Sequence, residues 1–153
     1  MINLILLDMY GTIVGGGNNT SQRNGLHDFV FRHSDKKLVI VTDDPDYEAI
    51  NSNVHAVGLA TYVDRVYGDR EMIFSGDDKR KDLLRICREY AVAPTRVVFI
   101  GDSDRDKDAA KIARIPFVHV PYYESSEESF SFDMIDISKS RFPLYQDLRS
   151  VND

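Results

Sequence analysis

Four short apolar runs punctuate the chain, most of them closed by a polar or turn residue. Leu4-Ile5-Leu6-Leu7 runs into Asp8. Leu38-Val39-Ile40-Val41 runs into Thr42-Asp43-Asp44-Pro45. Val97-Val98-Phe99-Ile100 runs into Gly101-Asp102, and residues 117–120 make the fourth. Runs of this length without polar alternation suit strands buried on both faces, as in a parallel sheet covered by helices. Helical spacing fills the gaps. Residues 22–33 predict a helix with Leu26, Phe29 and Val30 inward. Residues 46–57 predict another, with Asp46 and Glu48 in a first turn that favours negative charge. The clearest is 78–91, whose buried stripe is drawn from Leu83, Leu84, Ile86, Cys87 and Tyr90. Residues 105–113 form the last.

Between these elements, residues 62–75 read as short strands and turns around Val63, Val66, Ile73 and Phe74. Gly15-Gly16-Gly17-Asn18-Asn19 reads as a mobile loop, and 124–131 as a polar one. Ile135, Ile137, Leu144 and Leu148 are expected to pack back on the sheet. Strands alternating with helices predict an α/β fold with a doubly wound parallel sheet. Only about two dozen residues separate Thr12 from the second strand, room for a loop and one helix. The expectation is a single domain over 1–153 without a large insertion.

Composition narrows the partners more than the fold. With 153 residues, 42% hydrophobic and 29% charged, the chain can bury a proper core. A net charge of -6 disfavours general nucleic-acid binding. Cys87 is the only cysteine, so no intrachain disulfide can form. The first apolar run stops at Asp8 and lacks a basic lead and a small-residue cleavage site. No stretch is long and apolar enough to span a bilayer. A cytoplasmic protein is the default expectation.

The chemistry gathers at the strand ends. Ligand crevices of open parallel sheets lie beyond the carboxyl ends of the strands, which puts Asp8 and the 101–106 cluster on one edge. A carboxylate there, followed by Gly11-Thr12, can act as a nucleophile. Asp8, Asp102 and Asp106 would build an all-oxygen site suited to Mg²⁺ rather than zinc or copper. Thr42 brings a hydroxyl to the same edge. Lys79 opens the long helix, where Asp77 and Asp78 soften the cost of a cation against the dipole. Carboxylate, hydroxyl, ammonium and bound cation together suit a phosphoryl group.

On these residues the chain resembles the haloacid dehalogenase superfamily, mostly Mg²⁺-dependent phosphatases on a Rossmann-like fold. Asp8-Met9-Tyr10-Gly11-Thr12 is similar to the family's first motif, and Val39-Ile40-Val41-Thr42 to the second. Lys79 matches the third-motif lysine, with Lys81 its rival because that motif is loosely spaced. Gly101-Asp102-Ser103 with Asp106 matches the fourth. The resemblance implies Asp8 as nucleophile and metal ligand, with the Tyr10 carbonyl, Asp102 and Asp106 completing the metal site. It implies Gly11, Thr12, Thr42, Asp43 and Lys79 around the phosphate, and the capless branch. Capless members often take macromolecular substrates or borrow a lid by oligomerising.

Tyr10 departs from the pattern. Phosphatases of the family carry there the Asp that serves as general acid and base. A neutral phenol, with its free pKa near 10, is a far weaker base at pH 7. Tyrosine at this position is similar to the family's dehalogenases, which have a cap and a metal-free fourth motif. Two alternatives to a phosphatase therefore stand: a weak or inactive domain that binds phosphate, metal or a protein, and a C–halogen hydrolase.

Other residues read more plainly. Asp104 and Asp108 are ordinary dipole partners of a helix start, and Asp43 and Asp44 before Pro45 suit a turn and cap. The 102–106 run is no calcium loop, since Lys107 stands where its glycine is needed. His27, His33, His55 and His119 show no ligand spacing. Cys87 is a small core residue. Tyr122 and Tyr123 either line the site mouth or pack.

Overall fold

The computed structural model describes residues 1–15, 20–69 and 80–152. Its sheet has six strands: β1 (Leu4–Leu7), β2 (Lys37–Val41), β3 (Val63–Tyr67), β4 (Val97–Gly101), β5 (Phe117–His119) and β6 (Tyr145–Asp147). They lie in the order β3-β2-β1-β4-β5-β6, every pair parallel. The helices are α1 (Leu26–Arg32), α2 (Tyr47–Ala56), α3 (Leu83–Tyr90) and α4 (Asp104–Ala113).

Alternation along each strand divides the core into two layers. Ile5, Leu7, Leu38, Ile40, Val98 and Ile100 face α1 and α2. Leu4, Leu6, Val39, Val41, Val97 and Phe99 face α3 and α4. Both faces of the central strands are thus buried, which is why their runs lack polar residues. Chain order advances outward from β1 in one direction and from β4 in the other. The reversal falls between β1 and β4, where ligand crevices of such sheets open. Leu7 pairs with Ile100, and the Asp8 N–H donates to the Ile100 carbonyl at 3.0 Å. Asp8 and Asp102 therefore leave neighbouring strands at the same level.

Several expectations need correction. The long helix begins at Leu83, capped by the Asp82 side chain accepting from Arg85 N–H, rather than at 78. Only Leu83, Ile86 and Cys87 of its predicted stripe are buried; Leu84 is exposed and Tyr90 packs at the margin. Leu83, Ile86, Cys87 and Tyr90 fall at i, i+3, i+4 and i+7 on one face, whereas Leu84 is rotated about 100° from Leu83 and leaves it. Ile135, Ile137 and Leu148 do pack on the sheet, but Leu144 is 64% exposed. Leu144 leads into β6, a short edge strand whose half-exposed sequence carries no apolar run. The 16–19 part of the glycine loop, and residues 70–79 with Ile73, Phe74, Asp77, Asp78 and Lys79, lie outside the described residues.

Candidate active site

The turn after β1 builds the first wall. Thr12, Ile13 and Val14 N–H groups all donate to the Met9 carbonyl, closing the chain tightly behind Asp8. Gly11 adopts φ +83°, and a Cβ there would lie 2.6 Å from Asp102 Oδ2 and 2.7 Å from the Tyr122 ring. Only glycine meets both demands. Gly11→Ala is expected to cost about 2 kcal/mol and to displace the Asp102 carboxylate. Chemical denaturation and a divalent-cation titration would check it; wild-type cation affinity in a destabilised variant would show that Asp102 had not moved.

The second wall is the start of α4. Ser103 caps it, its Oγ accepting from Asp106 N–H at 3.1 Å. This cap turns Asp106 inward, where it is 4% exposed. Between the walls lie three carboxylates and one ammonium. Lys81 Nζ donates to Asp8 Oδ1 at 2.9 Å, Asp106 Oδ2 at 3.1 Å and the Val41 carbonyl at 3.0 Å. Its three protons meet three acceptors. The Thr12 hydroxyl lies 2.9 Å from Asp102 Oδ1 and 3.2 Å from Asp8 Oδ2, one proton between two carboxylates.

Three buried or half-buried acids against one base leave excess negative charge. Burial and the neighbouring Asp8 charge push Asp102 up to about 6. Burial, with Asp8 and Asp102 nearby, pushes Asp106 up to about 7 despite Lys81. Burial alone would lower Lys81, but Asp8 and Asp106 more than offset it and hold the ammonium above its usual range. Asp102 is held from behind. His119 Nε2 meets the Asp102 carbonyl at 3.1 Å and Nδ1 meets the Tyr145 hydroxyl at 3.2 Å. Burial lowers the imidazole pKa, so the ring is neutral, with Nε2–H donating and Nδ1 accepting.

A cavity of about 300 Å³ opens over these groups, and Asp8, Tyr10, Thr42, Asp43, Lys81, Asp102 and Asp106 all line it. Thr42 Oγ1 accepts from Asp44 N–H at 3.3 Å, which leaves its own proton to donate. The Tyr10 phenol accepts from Asn53 Nδ2 at 3.2 Å. Burial, with Asp44 and Asp46 close by, raises its pKa, so the group is neutral at pH 7. Gly11 and Thr12, expected around the phosphate, are not among the residues that line this cavity; Thr12 meets its wall through Asp8 and Asp102, while Lys79 lies outside the described residues. Lys81 occupies the position between Asp8 and Asp106, although it precedes α3 rather than opening it.

Ser103 and Arg105 also line the cavity, and sequence reading had not placed them there. Arg23 was missed altogether. It is 1% exposed and forks to Glu128 at 2.8 and 2.9 Å and to the Thr12 carbonyl at 2.8 Å, tying 121–131 to the Asp8 turn. Its carboxylate partner is 105 positions away, so no local signal marks it. Cys87 is buried, and burial raises its thiol, which fits a packing role.

Among the described residues no three His, Cys, Asp or Glu side chains form a ready-made metal cage. Magnesium does not require one. It keeps several waters and is commonly held by one or two carboxylates together with substrate phosphate. Asp8 and Asp102, bridged by Thr12, fit that chemistry: Asp102 has no cationic partner among the described residues, Asp8 gives only its Oδ1 to Lys81, and Asp106 is the acid closed off at the inner side of that lysine.

A buried carboxylate at the switch point of a parallel sheet, hydrogen-bonded to a lysine and flanked by two further acids, makes a polar site at the edge where such sheets take ligands. A family model described as haloacid dehalogenase-like hydrolase matches residues 17–114, and the chain belongs to that family. Its fold is similar to D,D-heptose 1,7-bisphosphate phosphatase from B. bronchiseptica, solved with magnesium and phosphate. The TM-score is 0.64 at 20% identity, over 95% of this chain and 92% of that one. A haloacid dehalogenase-like hydrolase from Streptococcus pneumoniae matches with TM-score 0.63 and 13% identity, over 98% and 95% of the two chains. A phosphoglycolate phosphatase from Thiobacillus denitrificans is 43% identical over 63 residues, 37% of this chain. The chain spans only 28% of that relative's length. No helix of the described residues is long and apolar enough to cross a membrane.

Proposed function

We propose that this protein is a Mg²⁺-dependent phosphatase acting on a phosphomonoester through an aspartyl-phosphate. One observation carries the reading: Asp8 sits at the β1–β4 switch point with Lys81 at 2.9 Å and Asp102 joined to it through Thr12. The Thiobacillus denitrificans relative, a phosphoglycolate phosphatase by name, supports it over the segment it shares. In the proposed reaction Asp8 attacks phosphorus, the ester P–O bond breaks, and the leaving alkoxide takes a proton from a water molecule. The hydroxide equivalent of that water then attacks phosphorus, the aspartyl–phosphate bond breaks, and inorganic phosphate leaves with Asp8 returned as carboxylate. Thr42 donates to a phosphoryl oxygen, and Lys81 supplies charge beside the attacking carboxylate. Asp8, Asp102 and the Tyr10 carbonyl would hold Mg²⁺, which offsets charge developing on the phosphoryl oxygens.

The proposal keeps the site capless. Among the described residues only α1 intervenes between β1 and β2, and its buried face packs in the core. The open cavity suits a macromolecular phosphoester, or a small one covered by a second copy of the chain. A cytoplasmic setting, consistent with the lone buried cysteine, belongs to the same proposal.

Phosphate release from a broad phosphoester panel, with and without Mg²⁺, tests the reading. Turnover that needs both Mg²⁺ and Asp8 supports it. No turnover across the panel, with cation binding intact, favours a second reading: a domain that keeps the site for binding. Tyr10 favours that reading, because its phenol is neutral and engaged with Asn53. Tyr10→Asp is accordingly expected to raise turnover of alkyl phosphates by roughly 10²–10⁴-fold. Aryl phosphates with good leaving groups should gain little, since their departure needs no proton. Equal gains for both would show that acid catalysis is not what Tyr10 withholds.

A further inference from the structure

A second cavity, of about 380 Å³, lies between α4 and the β5–β6 edge and shares no lining residue with the Asp8 site. Its volume falls in the range of roughly 300–1,000 Å³ usual for small-molecule pockets. Ile115 and Phe117, both buried, form the inner surface, and Leu144, largely exposed, and Tyr145, less than half exposed, form the outer one. The Phe117 and Tyr145 rings are parallel within 2° at 6.4 Å. Such walls suit a flat apolar group.

The rim is cationic. Lys107, Lys111 and Arg114 follow one another at i, i+4 and i+7, and none has a carboxylate partner among the described residues; the Lys107 ammonium lies over the Tyr145 ring, 5.4 Å from its centroid. Like charges at i, i+4 repel, and the chain carries 25 acidic residues that could have paired them. Favourable placement near a helix C-terminus accounts for the charge of Lys111 and Arg114. It does not account for the apolar cavity under them. Nor does it explain an arginine at φ +59° in the helix C-cap, where glycine fits without strain.

We propose that this cavity binds a small organic anion: a flat apolar body, aromatic or similar, bearing a carboxylate, sulfonate or phosphate. The body lies against Phe117, Tyr145 and Leu144, and the anionic group meets Arg114 and the two lysines. The proposal does not depend on the phosphatase reading.

The anionic fluorophore 8-anilinonaphthalene-1-sulfonate is the probe. The folded full-length protein should bind it saturably at a single site, and Asp8→Asn should bind it equally well. Lys111→Gln combined with Arg114→Gly should weaken binding roughly tenfold or more, with the thermal midpoint unchanged or raised, because glycine suits that backbone position. Backbone amide shifts should centre on Phe117, Leu144 and Tyr145. Unchanged affinity in the double variant overturns the proposal, as does probe fluorescence that rises only with unfolding. Stronger displacement by hexaglutamate than by naphthoate would make the surface a peptide site, and loss of binding on concentration-dependent dimerisation would make it an interface between copies. Either result also overturns it.

Discussion

Asp8→Asn is expected to abolish phosphoester hydrolysis, by roughly 10⁴-fold or more, and at the same time to raise the thermal midpoint of the metal-free protein. The two effects have one cause. Asparagine keeps an oxygen to accept from Lys81, which lies 2.9 Å from the Asp8 carboxylate. It loses the charge that attacks phosphorus in the proposed reaction. It also removes the charge that helps push Asp102 up to about 6 and Asp106 up to about 7. Relieving that repulsion stabilises the fold, the trade between stability and activity that charged sites often show. Parallel measurement of turnover and of the unfolding midpoint without divalent cation checks it. A variant that is inactive and less stable would mean that Asp8 holds the turn together rather than performing chemistry.

Lys81→Met should be the most destabilising single change in the site, costing about 3–5 kcal/mol near pH 8. Two buried carboxylates, Asp8 and Asp106, would lose their shared counter-ion. The loss should depend on pH, and its sign follows from the raised carboxyl pKa values. In the wild type, Asp102 and Asp106 titrate at about 6 and about 7 when folded, above the ordinary carboxylate value of 3.8. The folded state then binds more protons than the unfolded state across that interval, so stability falls as pH rises through it. Without Lys81 the folded carboxyls titrate higher still and the decline extends upward. Urea denaturation without divalent cation, at about pH 5 and about pH 8, would find the variant close to wild type at the lower pH and far below it at the higher. A deficit independent of pH would assign Lys81 a packing role instead. Activity should vanish in Lys81→Met, and the position Lys81 holds implies that Lys79→Ala keeps it.

Lys81 also shows where reading the chain reached its limit. The third-motif lysine was narrowed to Lys79 or Lys81, and nothing local separates them, since both stand among charges ahead of an apolar stripe. The partners that Lys81 meets, Asp8 and Asp106, 73 and 25 positions away, and the Val41 carbonyl, are visible only in the folded chain. Arg23 carries the same lesson more strongly, because its partners Thr12 and Glu128 are brought to it only by the folded chain. The capping of α3 by Asp82 is a one-turn matter that the sequence pattern blurred, because the acid-rich approach offers several caps. The edge strand β6 escaped notice because its half-exposed residues need no hydrophobic run.

What the amino-acid order determines by itself is local and periodic. The apolar runs define β1, β2, β4 and β5, and the residues that end them, Asp8, Thr42 and Asp102, are carried to one edge by the rule that parallel strands share a direction. Helical spacing likewise marks Leu26, Phe29 and Val30, and these are the residues α1 buries. Tertiary structure alone decides what depends on distance between remote groups. It sets how Lys81 meets Asp8, how Asp106 is turned by the Ser103 cap, and how His119 braces the Asp102 carbonyl. It decides, too, that Lys107, Lys111 and Arg114 overhang an apolar cavity instead of a solvated helix face. Periodicity is a property of neighbours in the chain, whereas electrostatics and cavities belong to neighbours in space.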